Sequence, residues 1–299
     1  MCSSDLTPAE GRTEGHYNPN LAVCMTDVLR VSATDPEAEP IARAAHCIRN
    51  GGLVAFPTET VYGLGAHALD HRAVARIFAA KGRPSTDPLI VHVLNLEAAA
   101  PLVADPPATL RVLAERYWPG PLTLIVPRSA AVPDAVTAGR HTVALRSPAH
   151  PVARALLRAS AVPIAAPSAN LFSHPSPTSA AHVLHDLGGR VDIVLDGGST
   201  QVGVESTIVD LSTDPPELLR PGAIGLAELQ RLIPTLVSRT VRAAGDVALA
   251  SPGTLARHYS PRTPLRLFDG SRHEALDGIA RAVATAQGAH RREIGRAHV

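Results

Sequence analysis

LVAFPTETVYGLGAHALDHRAVARIFAAKGR, residues Leu53 to Arg83, sets an apolar run, a proline, a polar stretch and a helical period side by side. Leu53 to Phe56 reads as a buried strand stopped by Pro57, Thr58 to Gly65 as the loop after it, and Asp70 as the cap of a helix through Ala80. Strand, loop and amphipathic helix in immediate succession are the building unit of layered α/β domains. The stretch ends at Lys81, and every other member of the chain's 28 Lys and Arg is arginine. A compact ammonium and a planar guanidinium are not interchangeable where a phosphate is gripped from one direction. Lys81, with Arg83 two positions on, is therefore the first candidate site residue.

Outward from this stretch the alternation continues. Val28 to Val31 reads as a short strand, and a helix opened by Asp35 and Pro36 carries Ile41, Ala44, Ala45 and Ile48 on one face. Further strands are expected at Leu89–Val93, Leu122–Val126, Val143–Arg146, Pro163–Ala166, Ile193–Leu195, Ser206–Leu211 and Glu217–Leu219. Helices are expected near 107–117, 149–159, 178–187 and 225–233. The pattern is that of an α/β domain with a mostly open sheet. Residues 1–24 are polar and aperiodic and read as a disordered leader; 25–235 form the main domain; 236–264, punctuated by Ser251, Pro252, Gly253, Pro261 and Pro264, form a linker. Leu265–Phe268 and a helix through 287 read as the truncated start of a second α/β domain over 265–299. The ends, MCSSDL and EIGRAHV, look like the translated strands of a sequencing adapter, so the expectation is a clipped reading frame with Met25 as native start. Genomic codons continuing in frame would defeat it.

Composition narrows the function classes. The chain has 299 residues, 45% of them hydrophobic, with a net charge of +1: enough for a sizeable core and no sign of a polyanion-coating protein. Cys2, Cys24 and Cys47 show no paired or CxxC spacing, which points to a reducing compartment, the cytoplasm, and away from a disulfide framework or zinc ribbon. No apolar run is long enough to span a membrane.

Several motifs fail on their context. Gly63, Gly65 and Ala68 spell GxGxxA, but the strand before them ends too early and no acidic residue comes at the right distance after them for a dinucleotide. His67 and His71 lack the glutamate of a zincin helix and a third ligand, so they read as solvated or capping histidines. Ser168 has no GxSxG setting. What remains is a set of short polar runs at strand ends, where open α/β sheets bind ligands: PTETVYGLG, KGRPSTDP, VHV, ALRSP, APSAN, ESTIVD and LLRPG. Lys81, Arg83, Arg146 and Arg220 would converge there, with hydroxyls between them and no acidic cluster for an all-protein metal cage. Such a cleft suits a nucleoside triphosphate whose Mg²⁺ is held by phosphates and water.

These same residues carry a resemblance. KGR at 81–83 with SAN at 168–170 is similar to the KxR and SxN signature of the YrdC/Sua5 family of threonylcarbamoyl-AMP synthases, and PTETVYGLG, RPSTDPLIVHV, WPGPLTLIV, HPVARALL, SPT, GVESTIVDL and LLRPGAI come in the family's order. The likeness covers roughly residues 28–235, and SPGTLARHYSP at 251–261 resembles the interdomain segment of the longer Sua5 form. It implies a twisted, open, mixed sheet with helices around a basic concave cavity. It also implies conversion of L-threonine, bicarbonate and ATP to threonylcarbamoyl-AMP and diphosphate, for the t6A modification of tRNA, with tRNA threonylcarbamoyl transferase proteins downstream. By resemblance Lys81 and Arg83 are catalytic; Thr60, His92, Arg146, Ala166 and Ser206 bind threonine, Arg146 taking its carboxylate. Lys81, Arg83, Asp87, Thr142, Ser168, Asn170, Ser176, Arg220 and Tyr259 bind ATP, and Tyr62 packs against either ligand. Two departures stand out: Asp87 where the family usually has Asn, and Ser173–His174 where Ser-Gly is common. The competing readings are a module binding double-stranded RNA on a basic concave face, and the carbamoyl-adenylate-forming domain of hydrogenase-maturation carbamoyltransferases, for which the chain lacks both cysteines and length.

Overall fold

The computed structural model describes residues 25–238, 266 and 268–288. Two units divide the chain, the second beginning after residue 259. In the first, the order is β1 (Asp27–Arg30), α1 (Ala38–Arg49), β2 (Val54–Pro57), β3 (Tyr62–His67), α2 (His71–Lys81), β4 (Ile90–His92), α3 (Leu96–Ala99), a 3₁₀ turn (Ala100–Leu102), α4 (Ala108–Tyr117), β5 (Leu122–Pro127), α5 (Asp134–Thr137) and β6 (Thr142–Arg146). It continues through α6 (Pro151–Ser160), β7 (Ile164–Ala165), α7 (Ala180–Leu187), β8 (Ile193–Asp196), β9 (Thr207–Asp210), β10 (Glu217–Arg220), α8 (Leu226–Gln230) and β11 (Val237–Ser238). In the second, α9 spans Arg272–Gly288. The expected strand at Leu265–Phe268 falls largely outside the described residues, as do the leader, most of the linker and Tyr259.

The described strands form one sheet in the order β1-β8-β2-β3-β7-β4-β6-β5-β9-β10-β11. It is mixed: β2–β3, β3–β7, β4–β7, β5–β6 and β9–β10 are antiparallel, whereas β1–β8, β2–β8, β4–β6, β5–β9 and β10–β11 are parallel. Alternation sorts the side chains. Val91, Leu122, Leu124, Val126, Val143 and Leu145 enter the main core, while Val54, Phe56, Ile164 and Ile193 pack with Ile41, Ala44, Ile48, Val152 and Leu156 of α1 and α6. The opposite face of the sheet's other half carries a small aliphatic patch, Ile90, Ile125, Ala144, Ile208 and Leu219, drawn from five strands.

The loop expected over Thr58 to Gly65 is the main correction. Only Thr58–Val61 turns the chain; Tyr62–His67 is a strand running antiparallel to β2, with Phe56 opposite Gly63 and Val54 opposite Gly65. Its two glycines mask its strand propensity, and packing requires one of them. A Cβ on Gly65 would stand 2.7 Å from Phe56 Cε1 and 2.8 Å from Ile164 Cγ2. Strand glycines of this kind mark a close approach of neighbouring groups. GxGxxA is thus a piece of sheet, in keeping with its rejection as a nucleotide loop.

Helix α2 begins as read. Asp70 Oδ1 accepts the N–H groups of Arg72 and Ala73 at 2.9 and 3.4 Å, and Gly82 closes the helix in the left-handed region at φ 61°. Val74, Ile77 and Lys81 are all buried. Lys81 lies four residues after Ile77, so helical phase sends its stem to the core side.

Candidate functional site

The strand ends on one edge of the sheet build the site. Across β4 and β6 the register places His92 beside Arg146, and β5 sets Thr123 beside Arg146 in turn. Thr123 Oγ1 lies 2.8 Å from Ser206 Oγ. The row therefore crosses three strands and reaches the residue just before β9. The tight β2–β3 turn supplies Thr60, held because Thr58 Oγ1 donates to Val61 O at 2.6 Å and lies 2.9 Å from Thr60 Oγ1. A cavity here is lined by Thr58, Thr60, Val61, Gly63, Arg83, Ile90, His92, Arg146, Ala166, Pro167, Ser168, Glu205, Ser206 and Arg220.

Of the residues expected at the site, Thr60, Arg83, His92, Arg146, Ala166, Ser168, Ser206 and Arg220 meet at this cavity. Lys81, Asp87, Thr142, Asn170 and Ser176 are not among its lining residues, and Tyr259 lies outside the described residues. Tyr62 is not among them either. Fully buried, it donates its hydroxyl to Gly198 O at 2.6 Å, and burial first, then Asp196, pushes its pKa up.

Lys81 does not point a free ammonium at the cavity. Nζ donates to the carbonyls of Ser168 and of Asn170, the latter at 2.6 Å, and so ties the end of α2 to the Ser-Ala-Asn turn. Burial, reinforced by the nearby Arg83 charge, holds its pKa well below the ordinary lysine value, against the pull of Asp87 and Asp186. Asn170 braces the loop after it, its Nδ2 donating to Leu171 O and His174 O at 2.7 and 2.8 Å. The His174 ring sits 3.1 Å from Asp186 Oδ2, which also accepts the Leu171 N–H. Ser176 donates its hydroxyl to Glu205 Oε1. Thr142 shares a strand face with Ala144 and Arg146 but stands at the other end of β6.

Each cation of the cavity has a fixed partner. Arg83 NH2 gives 2.8 Å to Pro88 O and lies 2.9 Å from Asp87 Oδ2. Asp87 is itself buried, with Oδ2 against Arg83 and Oδ1 without a hydrogen-bond partner. Burial raises its pKa, opposed by Arg83, Lys81 and Arg220. Arg146 NH2 donates to Glu59 Oε1 at 2.8 Å and to Thr60 Oγ1 at 3.0 Å. Arg220 donates from Nε to Ser206 O and from NH2 to Ser206 Oγ, both at 3.1 Å. Two of the cavity's cations are thus backed by acids, Arg83 by Asp87 and Arg146 by Glu59, while Glu205 lines the cavity itself. Among the described residues no three His, Cys, Asp or Glu form a metal-holding group, and His67 caps a turn by accepting the Leu69 N–H at 3.1 Å.

His92 is neutral. Burial, then the Arg146 charge, lowers its pKa to about 3, and Nδ1 is buried without a hydrogen-bond partner. Ala166 gives its N–H to Ile90 O at 2.9 Å, so any ligand contact there falls to its carbonyl. Glu59 and Thr123 were not singled out from the sequence. Glu59 lies between two threonines in PTETV, and the alternation of PLTLIV puts Thr123 on the face opposite Leu122 and Leu124.

A profile of the Sua5–YciO–YrdC family, described as "Telomere recombination", matches residues 46–222, and one described as "Threonylcarbamoyl-AMP synthase, C-terminal domain" matches 224–296. The chain is 47% identical over 266 residues to the threonylcarbamoyl-AMP synthase of Pyrococcus abyssi, covering 87% of this chain and 76% of that protein. It is 48% identical over 251 residues to the enzyme of that name from Bacillus subtilis, covering 83% and 71%. Its fold superposes on P. abyssi Sua5 crystallised with L-threonine at a TM-score of 0.84 and 44% identity, covering 89% of this chain and 78% of the other. With KGR and SAN joined through the Lys81 ammonium and the family profile spanning most of the sheet, the chain belongs to the YrdC/Sua5 family.

Proposed function

We infer that the chain makes threonylcarbamoyl-AMP from L-threonine, bicarbonate and ATP, releasing diphosphate, as a nucleotidyltransferase of tRNA t6A modification. The observation that carries this is the row His92, Arg146, Thr123 and Ser206 at one end of an aliphatic patch, with Arg83 and Arg220 beside it. Threonine's amine captures CO₂ or bicarbonate to form a carbamate. A carbamate oxygen then attacks the α-phosphorus of ATP, the bond to the bridging oxygen breaks, and diphosphate leaves. No covalent enzyme nucleophile is needed; positioning and charge stabilisation suffice.

In this reading Thr60, His92, Arg146, the Ala166 carbonyl and Ser206 take threonine, with Arg146 on its carboxylate. Arg83, Ser168 and Arg220 face the phosphates, and the Ile90–Ile125–Ala144–Ile208–Leu219 patch suits the flat adenine ring, with Thr142 beyond it. Asn170, Ser176 and Tyr259 complete the nucleotide side. Lys81 acts chiefly through the Ser168 and Asn170 carbonyls, shaping the turn on which phosphates rest. The protein groups fit a cation carried by the nucleotide rather than a caged metal: Mg²⁺ bound to phosphate oxygens and water supplies charge neutralisation. Asp87, buried against Arg83, gives that guanidinium a counter-charge that an Asn would not supply. Cations seated inside a cavity and backed by acids suit a small anion better than an RNA backbone, which calls for exposed charge. The main domain is placed at 25–235 and the reaction in the cytoplasm, with a tRNA threonylcarbamoyl transferase taking the product. No helix among the described residues is long and apolar enough to cross a membrane.

The test is diphosphate release from Mg-ATP with threonine and bicarbonate varied. Release that requires both, and falls roughly a hundredfold or more in Lys81→Met, is expected. Release indifferent to threonine would overturn the reading.

A further inference from the structure

We infer that Glu59 is a positioning residue of the amino-acid pocket, its carboxylate fixing the Arg146 guanidinium in the orientation that meets a substrate carboxylate. The inference rests on the reading of Arg146 given under Proposed function. Glu59 joins three segments. Oε1 accepts from Arg146 NH2 at 2.8 Å at the end of β6, and Oε2 accepts the Ala149 N–H at 3.0 Å on the approach to α6. Its own backbone carbonyl accepts the Val202 N–H at 2.9 Å, and Thr60 O accepts the Gly203 N–H at 3.0 Å. The turn that carries Glu59 is thereby locked to the segment leading into Glu205 and Ser206.

Counting donors shows what this does to Arg146. NH2 has two protons, and Glu59 and Thr60 take both. Nε is buried without a hydrogen-bond partner. Both forks of a guanidinium use that nitrogen, so a substrate carboxylate would meet the donors left over, Nε–H and those of NH1, one at a time and in directions that the pinning fixes. Without Glu59, a cation nearly removed from water would lose its counter-charge and the restraint on its rotation together. A side chain that merely filled space would offer neither.

The full chain tests this through Michaelis constants for L-threonine, L-threoninamide and ATP. Threoninamide lacks the carboxylate charge, so the threonine-to-threoninamide preference reads how well Arg146 is aimed. In Glu59→Ala the threonine KM is expected to rise roughly tenfold or more, with the preference collapsing and the ATP KM changing by less than about threefold. Glu59→Gln keeps an acceptor for the Ala149 N–H without the charge, and it is expected to lose the preference too; it decides the matter if the alanine variant fails to fold. Retention of the wild-type preference in a folded Glu59→Gln protein overturns the inference. Arg146→Ala separates the premise. If it loses the preference while the Glu59 variants keep it, only the role of Glu59 falls, and if it keeps the preference, the reading of Arg146 falls and takes this inference with it.

Discussion

His92 stands against the edge of the Phe56 ring, the two rings 6.2 Å apart and nearly perpendicular, in a pocket that keeps it neutral. Its pKa is about 3 in the fold against 6.5 for an unperturbed histidine. Between those values the unfolded chain binds a proton that the folded chain refuses, so stability is fully present above about pH 6.5 and declines as pH falls toward 3. At pH 5 this one group should account for about 2 kcal/mol of lost stability. Urea melts of the wild type and His92→Asn at pH 7.5 and pH 5 check it: the variant should lose less on acidification, and an equal loss in both would contradict the buried neutral ring. That His92 faces the cavity was legible from its place at the end of an apolar strand. Its protonation state was not, because burial and the Arg146 charge come from β6, far away in sequence. Lys81 shows the same division. Its spacing from Val74 and Ile77 already places it on the buried face of α2, but the carbonyls it meets there come from residues 168 and 170, far away in sequence.

Among the elements, β10 and the turn after it hold Ser206 in place through Arg220, and the fit is close. A Cβ on Gly222 would stand 2.5 Å from Thr207 N, 2.6 Å from Glu205 O and 2.8 Å from Ser206 C, all backbone atoms that cannot swing aside. Gly222→Ala should therefore push the turn off the Glu205–Thr207 segment, destabilise the protein by about 1–3 kcal/mol and lower threonine-dependent turnover roughly tenfold or more. Gly225, with nothing within 4 Å of its added Cβ, is the control, and Gly225→Ala should cost only about 1 kcal/mol, from its place as the N-cap of α8, and leave turnover unchanged. Thermal melts and diphosphate release measured on both variants decide it. LLRPG could be picked out from the sequence as a polar strand end. That its glycine presses on ESTIVD could not, since β9 and β10 make that contact only once paired. The β2–β3 hairpin was missed for a related reason: strand glycines look like loop residues until Phe56 and Ile164 arrive to occupy the space a side chain would need.

For the whole molecule, the described strands of the sheet lie within 27–238, and the buried aliphatic clusters among the described residues run from Leu29 to Leu236. A chain ended after Ser238 should keep cooperative unfolding and its far-UV dichroism per residue in the sheet region; a broad, non-cooperative melt would show that its stability depends on residues 239–299. The formal charge of +1 gave no hint of a basic site, and the fold shows why: Arg83 and Arg146 each sit against a buried acid, so the cations are concentrated locally without appearing in the total. By itself the sequence determined the layered α/β class, the caps and amphipathic faces of the main helices, and the strand-end runs that line the cavity, because periodicity and turn residues act over a few neighbouring positions. Only the tertiary structure decided which donors are spent and which remain. Lys81 is tied to the Ser-Ala-Asn turn, Arg146 to Glu59 and Arg220 to Ser206, because a buried polar group takes whatever partner the packed strands bring within reach, however distant in the chain.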